Sequence, residues 1–430
     1  MSAVLEQTLR RELHPALTAE EAVLEADRCL GCGGPNGEAP CAAACPADID
    51  VAGFIGSLAV GDPVGAAHTI FAENLLGGTC ARVCPVEMLC EGACVLRHEG
   101  RPPIAIGALQ RYATDTAFAR DSVVLRTAAP RRQTRVAVVG AGPAGLACAG
   151  ELAALGHRVT VYEWHDEIGG LVRFAIAPYR EQREPLPSEQ RLLEQLGVEF
   201  VLGAAAPAEA LAAADAVFLG VGMGPDVSVR YPGDELAGVW DSLPFIEALK
   251  TRAHPPAVGR DVVVIGGGNT AIDVAREAVR LGAERVTLVY RRTRALMPAY
   301  AYEVDEAEAE GVRFAWLAEP VRFLGALRVG AVECRSMRLG QPDESGRQKP
   351  EPIPGSEFVT PADTVVKAVG QRPRPEYAHL LEHVDLATGR TSDPRIFAGG
   401  DVLNGGVSVV EAVREGKLAA AAIHDYLEAR

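Results

Sequence analysis

The stretch Arg135-Val136-Ala137-Val138-Val139-Gly140-Ala141-Gly142-Pro143-Ala144-Gly145, continued by LACAGELAALG (146–156) and RVTVYE (158–163), reads as strand, glycine turn, helix and strand in unbroken order. Its glycines have separate tasks: Gly140 permits the tight turn, Gly142 lets backbone approach a pyrophosphate, and Gly145 allows close helix packing. The helix opening at Pro143 and Ala144 aims its N-terminus at the phosphates. Glu163 ends the second strand 18 residues after Gly145, where a carboxylate can accept both hydroxyls of a ribose and disfavours a 2′-phosphate. A chance glycine-rich turn would not carry strand, helix, strand and acid in order around it.

The pattern recurs 126 residues later as DVVVI (261–265), Gly266-Gly267-Gly268-Asn269-Thr270-Ala271, IDVAREAVRLG (272–282) and RVTLVYRR (285–292). Ala271 replaces the third glycine, a common tolerance at that packing position. Gly266, Gly268, Asn269 and Thr270 then form the second phosphate turn. Where the first copy has an acid, this one has Tyr290-Arg291-Arg292-Thr293-Arg294. Arg291 and Arg292 suit bidentate contact with a 2′-phosphate, the alternative being a solvated basic turn. An acid-ended site and an arginine-ended site in one chain point to two dinucleotides, FAD in the first and NADPH, rather than NADH, in the second.

The expected class is α/β. Residues 1–130 hold short helical pieces (48–59, 104–119) broken by glycine and proline, and 128–134 read as a linker. Two Rossmann-like nucleotide-binding domains follow, the second inserted in the first: 131–257 with 362–430, and 258–361 between. The segment after Asp393 is a strand, a glycine turn and a long alanine-rich helix that returns to the first domain. Within it Gly400 and Asp401 can set a carboxylate by the ribityl or phosphate part of a flavin, and the helix from Ser408 and Val409 points its N-terminus at the ring. A plain loop before a core helix is the alternative. Gly170 and Leu171 complete the expected flavin contacts.

Eight of the ten cysteines lie within the first 94 residues, as Cys29-x2-Cys32-x8-Cys41-x3-Cys45-Pro46 and Cys80-x3-Cys84-x5-Cys90-x3-Cys94. Thiols packed so densely in a reducing compartment bind metal or do redox chemistry. Two closed zinc sites are one reading. Two dinucleotide sites in the same chain favour iron–sulfur clusters, since a structural zinc needs no electron source. The run ending Cys45-Pro46 follows the ferredoxin pattern, in which the cysteine before proline ligates the other cluster. Cys45 would then join three of the later cysteines, leaving Cys29, Cys32 and Cys41 short of a fourth thiolate. Cys148 and Cys334 read as small buried hydrophobes. No cysteine pair follows either fingerprint, so the dithiol of a flavin disulfide reductase is missing.

The nine histidines show no ligand spacing, and His165 and His254 read as loop residues. The acidic run from Glu303 to Glu310 reads as a solvated helix face with no cationic partner. With 42 basic and 57 acidic residues the formal charge is −15, the wrong sign for gripping nucleic acid. The start, MSAVLEQTLRREL, has no apolar core, and no run of about 18 apolar residues occurs, so no membrane association is expected and a cytoplasmic location is.

These blocks, with EADRCLGCG, CARVCPVEMLC, IGALQRYATD, AVGQRP and IHDYLE, resemble the flavin and iron–sulfur family of the bacterial glutamate synthase small subunit and the N-terminal half of dihydropyrimidine dehydrogenase. The look is closest to the separate bacterial dihydropyrimidine dehydrogenase subunit. The resemblance implies two [4Fe–4S] clusters, one on Cys29, Cys32, Cys41 and Gln110, the other on Cys45, Cys84, Cys90 and Cys94, with Cys80 a bystander. It further implies an electron-entry subunit: NADPH gives hydride to FAD, and single electrons leave through the clusters to a catalytic partner subunit of the FMN-containing dihydropyrimidine dehydrogenase or glutamate synthase large-subunit type. Two features depart from it: the Cys32–Cys41 gap is lengthened by GGPNGEAP, and Arg291-Arg292 looks like the NADPH-using branch. A non-catalytic redox sensor or scaffold, and a stand-alone flavin reductase with structural metal, are the rival readings.

Overall fold

Two five-stranded parallel sheets organise the chain, each with one glycine fingerprint at the end of its central strand. The computed structural model describes residues 15–34, 37–123, 125, 128–181, 185–251, 256–342 and 346–430. The amphipathic start, Pro35 and Asn36 of the lengthened gap, and His254 lie outside the described residues. The strands are β1 (Arg135–Val139), β2 (Arg158–Tyr162), β3 (Glu199–Val201), β4 (Ala216–Leu219), β5 (Val239–Asp241), β6 (Asp261–Gly266), β7 (Arg285–Tyr290), β8 (Arg313–Trp316), β9 (Ala318–Gly325), β10 (Val329–Pro342), β11 (Gln348–Pro361), β12 (Thr364–Ala368) and β13 (Ile396–Ala398).

One compact unit comprises the described residues of 15–173, 185–223 and 373–430. Its sheet runs β13-β4-β1-β2-β3, all parallel. The C-terminal strand β13 therefore does return to the first fingerprint, pairing Ile396 with Val217. The helix Val409–Glu428, capped by Ser408 accepting from the Glu411 amide, lies on the fingerprint helix Pro143–Ala154. Small residues make this crossing close: a Cβ on Gly416 would stand 2.3 Å from the Ala144 carbonyl oxygen.

The cysteine-bearing helices belong to the same unit. The helices beside them have starts legible as caps: Thr18 and Glu21 form a capping box, and Asp50 and Asp62 accept from the Gly53 and Gly65 amides. Three contacts join them to the flavin-type fold. Buried Glu189 accepts from the Thr79 amide (2.9 Å) and hydroxyl (2.6 Å), Leu75 packs on Gly150, and the Lys417 ammonium donates to the carbonyls of Ala47 and Glu73.

The other unit comprises the described residues of 174–181 and 224–372. Its sheet runs β5-β12-β6-β7-β8, so it takes in β5, the helix Ser242–Thr251 and β12 as well as the expected 258–361. Helices cover one face through Phe245, Ile272 and Val304. The antiparallel sheet β11-β10-β9 covers the other through Phe323, Val332 and the buried Cys334.

The segment 174–181 is fastened here by charge. Tyr179 donates to Asp273 (2.5 Å), its amide donates to Glu277 (2.9 Å), and the guanidinium of Arg276 sits 4.5 Å over its ring. The acidic run corrects the expectation of a face without cations. Glu303, whose side chain is 2% exposed, pairs with Arg180 at 2.7 Å. Glu306 and Glu310 pair with Arg276, and Asp305 and Glu308 with Arg294. The cations come from three other segments, which spacing within the run could not reveal.

Candidate functional site

At the first fingerprint, Gly140 has φ +100°, and a Cβ there would stand 2.4 Å from the Gly220 carbonyl oxygen. Gly145 backs onto the same turn, its would-be Cβ 2.0 Å from the Gly140 oxygen. The Gly169 amide donates to the Ala141 carbonyl, and a Cβ on Gly170 would come 3.0 Å from the Gly142 Cα. Gly400, at φ +80°, approaches Ala144. The segments 140–145, 169–171 and 400–401 thus converge at the carboxyl ends of β1 and β13. This is the switch point of an open parallel sheet, because β2 and β4 flank β1 on opposite sides. Gly220, absent from the sequence prediction, is signalled by the glycine that directly follows β4.

Glu163 stands one residue past β2 and is buried. Its Oε2 accepts the Ala141 amide (2.8 Å) and its Oε1 the His165 amide (3.0 Å). An ionised carboxylate has about four acceptor positions, so capacity for ribose hydroxyls is left. Burial pushes the Asp401 carboxyl up to about 6, with the nearby Glu415 adding to it. Glu415 in turn fixes the loop by accepting from the Gly400 amide and Asn404. The packed glycine cradle with a carboxylate on each side fits a dinucleotide with unphosphorylated ribose.

In the second unit, Gly266 has φ +145° and would place a Cβ 2.0 Å from the Ala368 oxygen. Gly268 caps the helix Asn269–Arg280, and Asn269 accepts the Tyr300 amide at 3.0 Å, bringing the turn after β7 over the glycine loop. The two arginines separate. Arg291 is exposed and, among the described residues, makes no ion pair. Arg292 is buried, its Nε donating to the Gln348 carbonyl at 3.0 Å. The expectation that both face a phosphate is thus corrected for Arg292, whose side chain runs inward to β11.

The thiols fall into two groups of four. Cys29, Cys32, Cys41 and Cys94 line a small cavity of about 20 Å³ together with Pro40 and Ile55. Burial, then the charges of Cys29 and Cys94, raise the Cys41 thiol to about 11. In the second group Cys84 is held well above its ordinary value by a hydrogen bond with Cys80, then by burial and the charges of Cys80, Cys90 and Cys45. Gln110 donates its Nε2 to the Gly77 carbonyl at 2.8 Å, at the start of the helix that carries Cys80. Cys94 thus lines the same cavity as the first three cysteines, and Cys80 is hydrogen-bonded to Cys84. The first three cysteines and Cys94 are far apart in sequence, and spacing alone does not sort them.

Among the described residues no three Cys, His, Asp or Glu side chains close on the single point a mononuclear ion needs. Buried thiols gain most from ligands that carry positive charge, and four soft donors per group are the donor set of a four-iron cluster. The residues present fit that group.

A five-stranded parallel sheet with a ribose acid and a second with an exposed arginine define a two-nucleotide reductase. A family model described as dihydropyrimidine dehydrogenase domain II, 4Fe-4S cluster, matches residues 6–122. One described as pyridine nucleotide-disulphide oxidoreductase matches 134–416, where Cys148 stands alone in the helix behind the first turn. The glutamate synthase [NADPH] small chain of Halomonas elongata is 38% identical over 97% of this chain and 93% of its own length. The NADP(+)-dependent formate dehydrogenase subunit beta of Moorella thermoacetica is 35% identical over 90% of this chain and 60% of its own. FprA from Mycobacterium tuberculosis, solved in complex with NADPH, shares the fold at TM-score 0.59 and 21% identity over 69% of this chain and 85% of its own. The chain belongs to the pyridine-nucleotide oxidoreductase family with an N-terminal iron–sulfur region that includes the glutamate synthase small chain and the N-terminal half of dihydropyrimidine dehydrogenase. No helix among the described residues is long and apolar enough to cross a membrane.

Proposed function

We propose that this chain is the electron-entry subunit of a larger enzyme, taking hydride from NADPH onto FAD and passing single electrons through two [4Fe–4S] clusters to a catalytic partner subunit. When bound, the flavin converts a two-electron donor into two one-electron steps, chemistry that belongs to the cofactor. The chain's own residues orient and insulate. Gly140 to Gly145, Gly170 and Leu171 cradle the pyrophosphate, Glu163 takes the ribose, and Asp401 with the helix from Ser408 and Val409 faces the remainder of the flavin. Gly266, Gly268, Asn269, Thr270 and Arg291 receive NADPH. Cys29, Cys32, Cys41 and Cys94 hold one cluster, and Cys45, Cys80, Cys84 and Cys90 the other.

The observation that carries the reading is that eight thiols share one compact unit with the first glycine cradle. The relatives and the family model support a partner subunit of the glutamate synthase or dihydropyrimidine dehydrogenase type, and thiols used as cluster ligands suit the reducing cytoplasm. Anaerobically purified protein should contain about eight irons and one FAD, and NADPH should drive steady reduction of a one-electron dye. Two zinc ions without acid-labile sulfide, or bound cofactors with no dye reduction, would refute the assignment, the latter in favour of a sensor.

A further inference from the structure

The turn that follows β7 is gripped from outside its own fold. Its far end is tied to the glycine loop, since the Ala299 amide donates to Gly267 (3.1 Å) and the Tyr300 amide to Asn269 (3.0 Å). At mid-turn the Leu296 carbonyl accepts from the Tyr290 hydroxyl (2.9 Å) and from Nη2 of Arg347 (3.2 Å), the residue directly before β11. One residue further, the Gln348 carbonyl accepts Nε of Arg292 at 3.0 Å. Successive residues of the β10–β11 hairpin thus hold two positions of the turn, and the exposed Arg347 lies against the turn that Arg291 opens. Arg294, the remaining arginine of that turn, is already paired with Asp305 and Glu308.

We propose that Arg347 is a specificity-determining residue of the second nucleotide site, receiving the 2′-phosphate jointly with Arg291, while Arg292 is a positioning residue that clamps the hairpin in place. The inference rests on the NADPH reading above. In this fold the adenosine ribose lies past the end of the second strand of the βαβ unit, here β7. A 2′-phosphate is a dianion, best met by two guanidinium groups from different directions, whose forks match its oxygens. The turn itself offers Arg291, which makes no ion pair among the described residues, and the hairpin sets the guanidinium of Arg347 against the same turn.

The test is calorimetric titration of the holoprotein with 2′,5′-ADP and with 5′-AMP, which needs no turnover. Wild type should prefer 2′,5′-ADP. Arg347→Gln should weaken 2′,5′-ADP about tenfold, the order of one charge-assisted contact, and leave 5′-AMP unchanged. Arg347→Lys should recover part of the loss. If Arg291→Gln loses the preference and Arg347→Gln keeps it, the NADPH reading stands and the role of Arg347 is overturned. Equal weakening of both ligands in Arg347→Gln also overturns it, because the residue would then only shape the turn. Equal binding of the two ligands by wild type refutes the NADPH reading itself, and the proposal with it.

Discussion

Cys94→Ser should empty the cluster held with Cys29, Cys32 and Cys41 and spare the other. Cys94 is buried and lines the same cavity as those three thiols, so its loss removes one of four ligands. A four-iron cluster that loses a thiolate decays wholly or to a three-iron form, so the content should fall from about eight irons to between about four and seven. The sorting shows in combination. Cys29→Ser with Cys94→Ser should cost no more iron than the worse single change, because both act on one cluster. Cys80→Ser with Cys94→Ser should cost the sum, because the two are independent. Iron and sulfide analysis, with electron paramagnetic resonance of the reduced protein, reads each variant. Gln110→Ala should keep both clusters, since in the proposed sorting Cys94 completes the first set of four. Full iron in Cys80→Ser together with a lost or altered cluster in Gln110→Ala would refute this sorting and restore the one the family resemblance implied.

Arg180→Met should cost about 3–5 kcal/mol in denaturant unfolding, because it leaves the buried carboxylates of Asp273 and Glu303 without their shared cation. That deficit should shrink in acid, where Glu303 can protonate, and its absence at neutral pH would deny the network a structural role. Burial, then the charges of His424 and Arg132, hold His157 at about 4 against about 6.5 unfolded. Its contribution is therefore complete above about pH 6.5 and lost as pH falls towards 4, about 1–2 kcal/mol, and urea midpoints for His157→Gln should lack that part of the slope. Gly145→Ala, with its Cβ 2.0 Å from the Gly140 oxygen, should lower flavin retention at least about tenfold while iron stays full; normal flavin content would refute the cradle.

Both nucleotide folds were legible because a phosphate turn is a local object. The positive φ at Gly140 and Gly266, and the close approaches of Gly145 and Gly416, need glycine where sequence shows it. What involves distant segments was not legible. Cysteine spacing announced thiol ligands but left open which would meet, since Cys94 reaches the first group across more than fifty residues. The acidic run looked solvated because Arg180 and Arg276 come from a strap and a helix elsewhere in the chain. The unit boundary was hidden for the same reason: the segment 174–181 carries no turn signal that assigns it to the second sheet, and its docking depends on Asp273 and Glu277.

Glu189 shows why the cysteine helices and the first sheet must be considered together. A fully buried carboxylate is costly unless its acceptors are used, and burial raises this one to about 7 despite the two bonds from Thr79. Those bonds anchor the residue next to Cys80 to a helix, Leu186–Gln195, that belongs to the flavin-type fold. Leu75 against Gly150 and Lys417 on Ala47 and Glu73 repeat the arrangement at the fingerprint helix and the C-terminal helix. The helices bearing the thiols are thus fixed to the elements that form the flavin cradle. A chain that only displayed cofactors would have no need of such anchoring, whereas one that moves single electrons from a flavin to clusters depends on a constant separation between them.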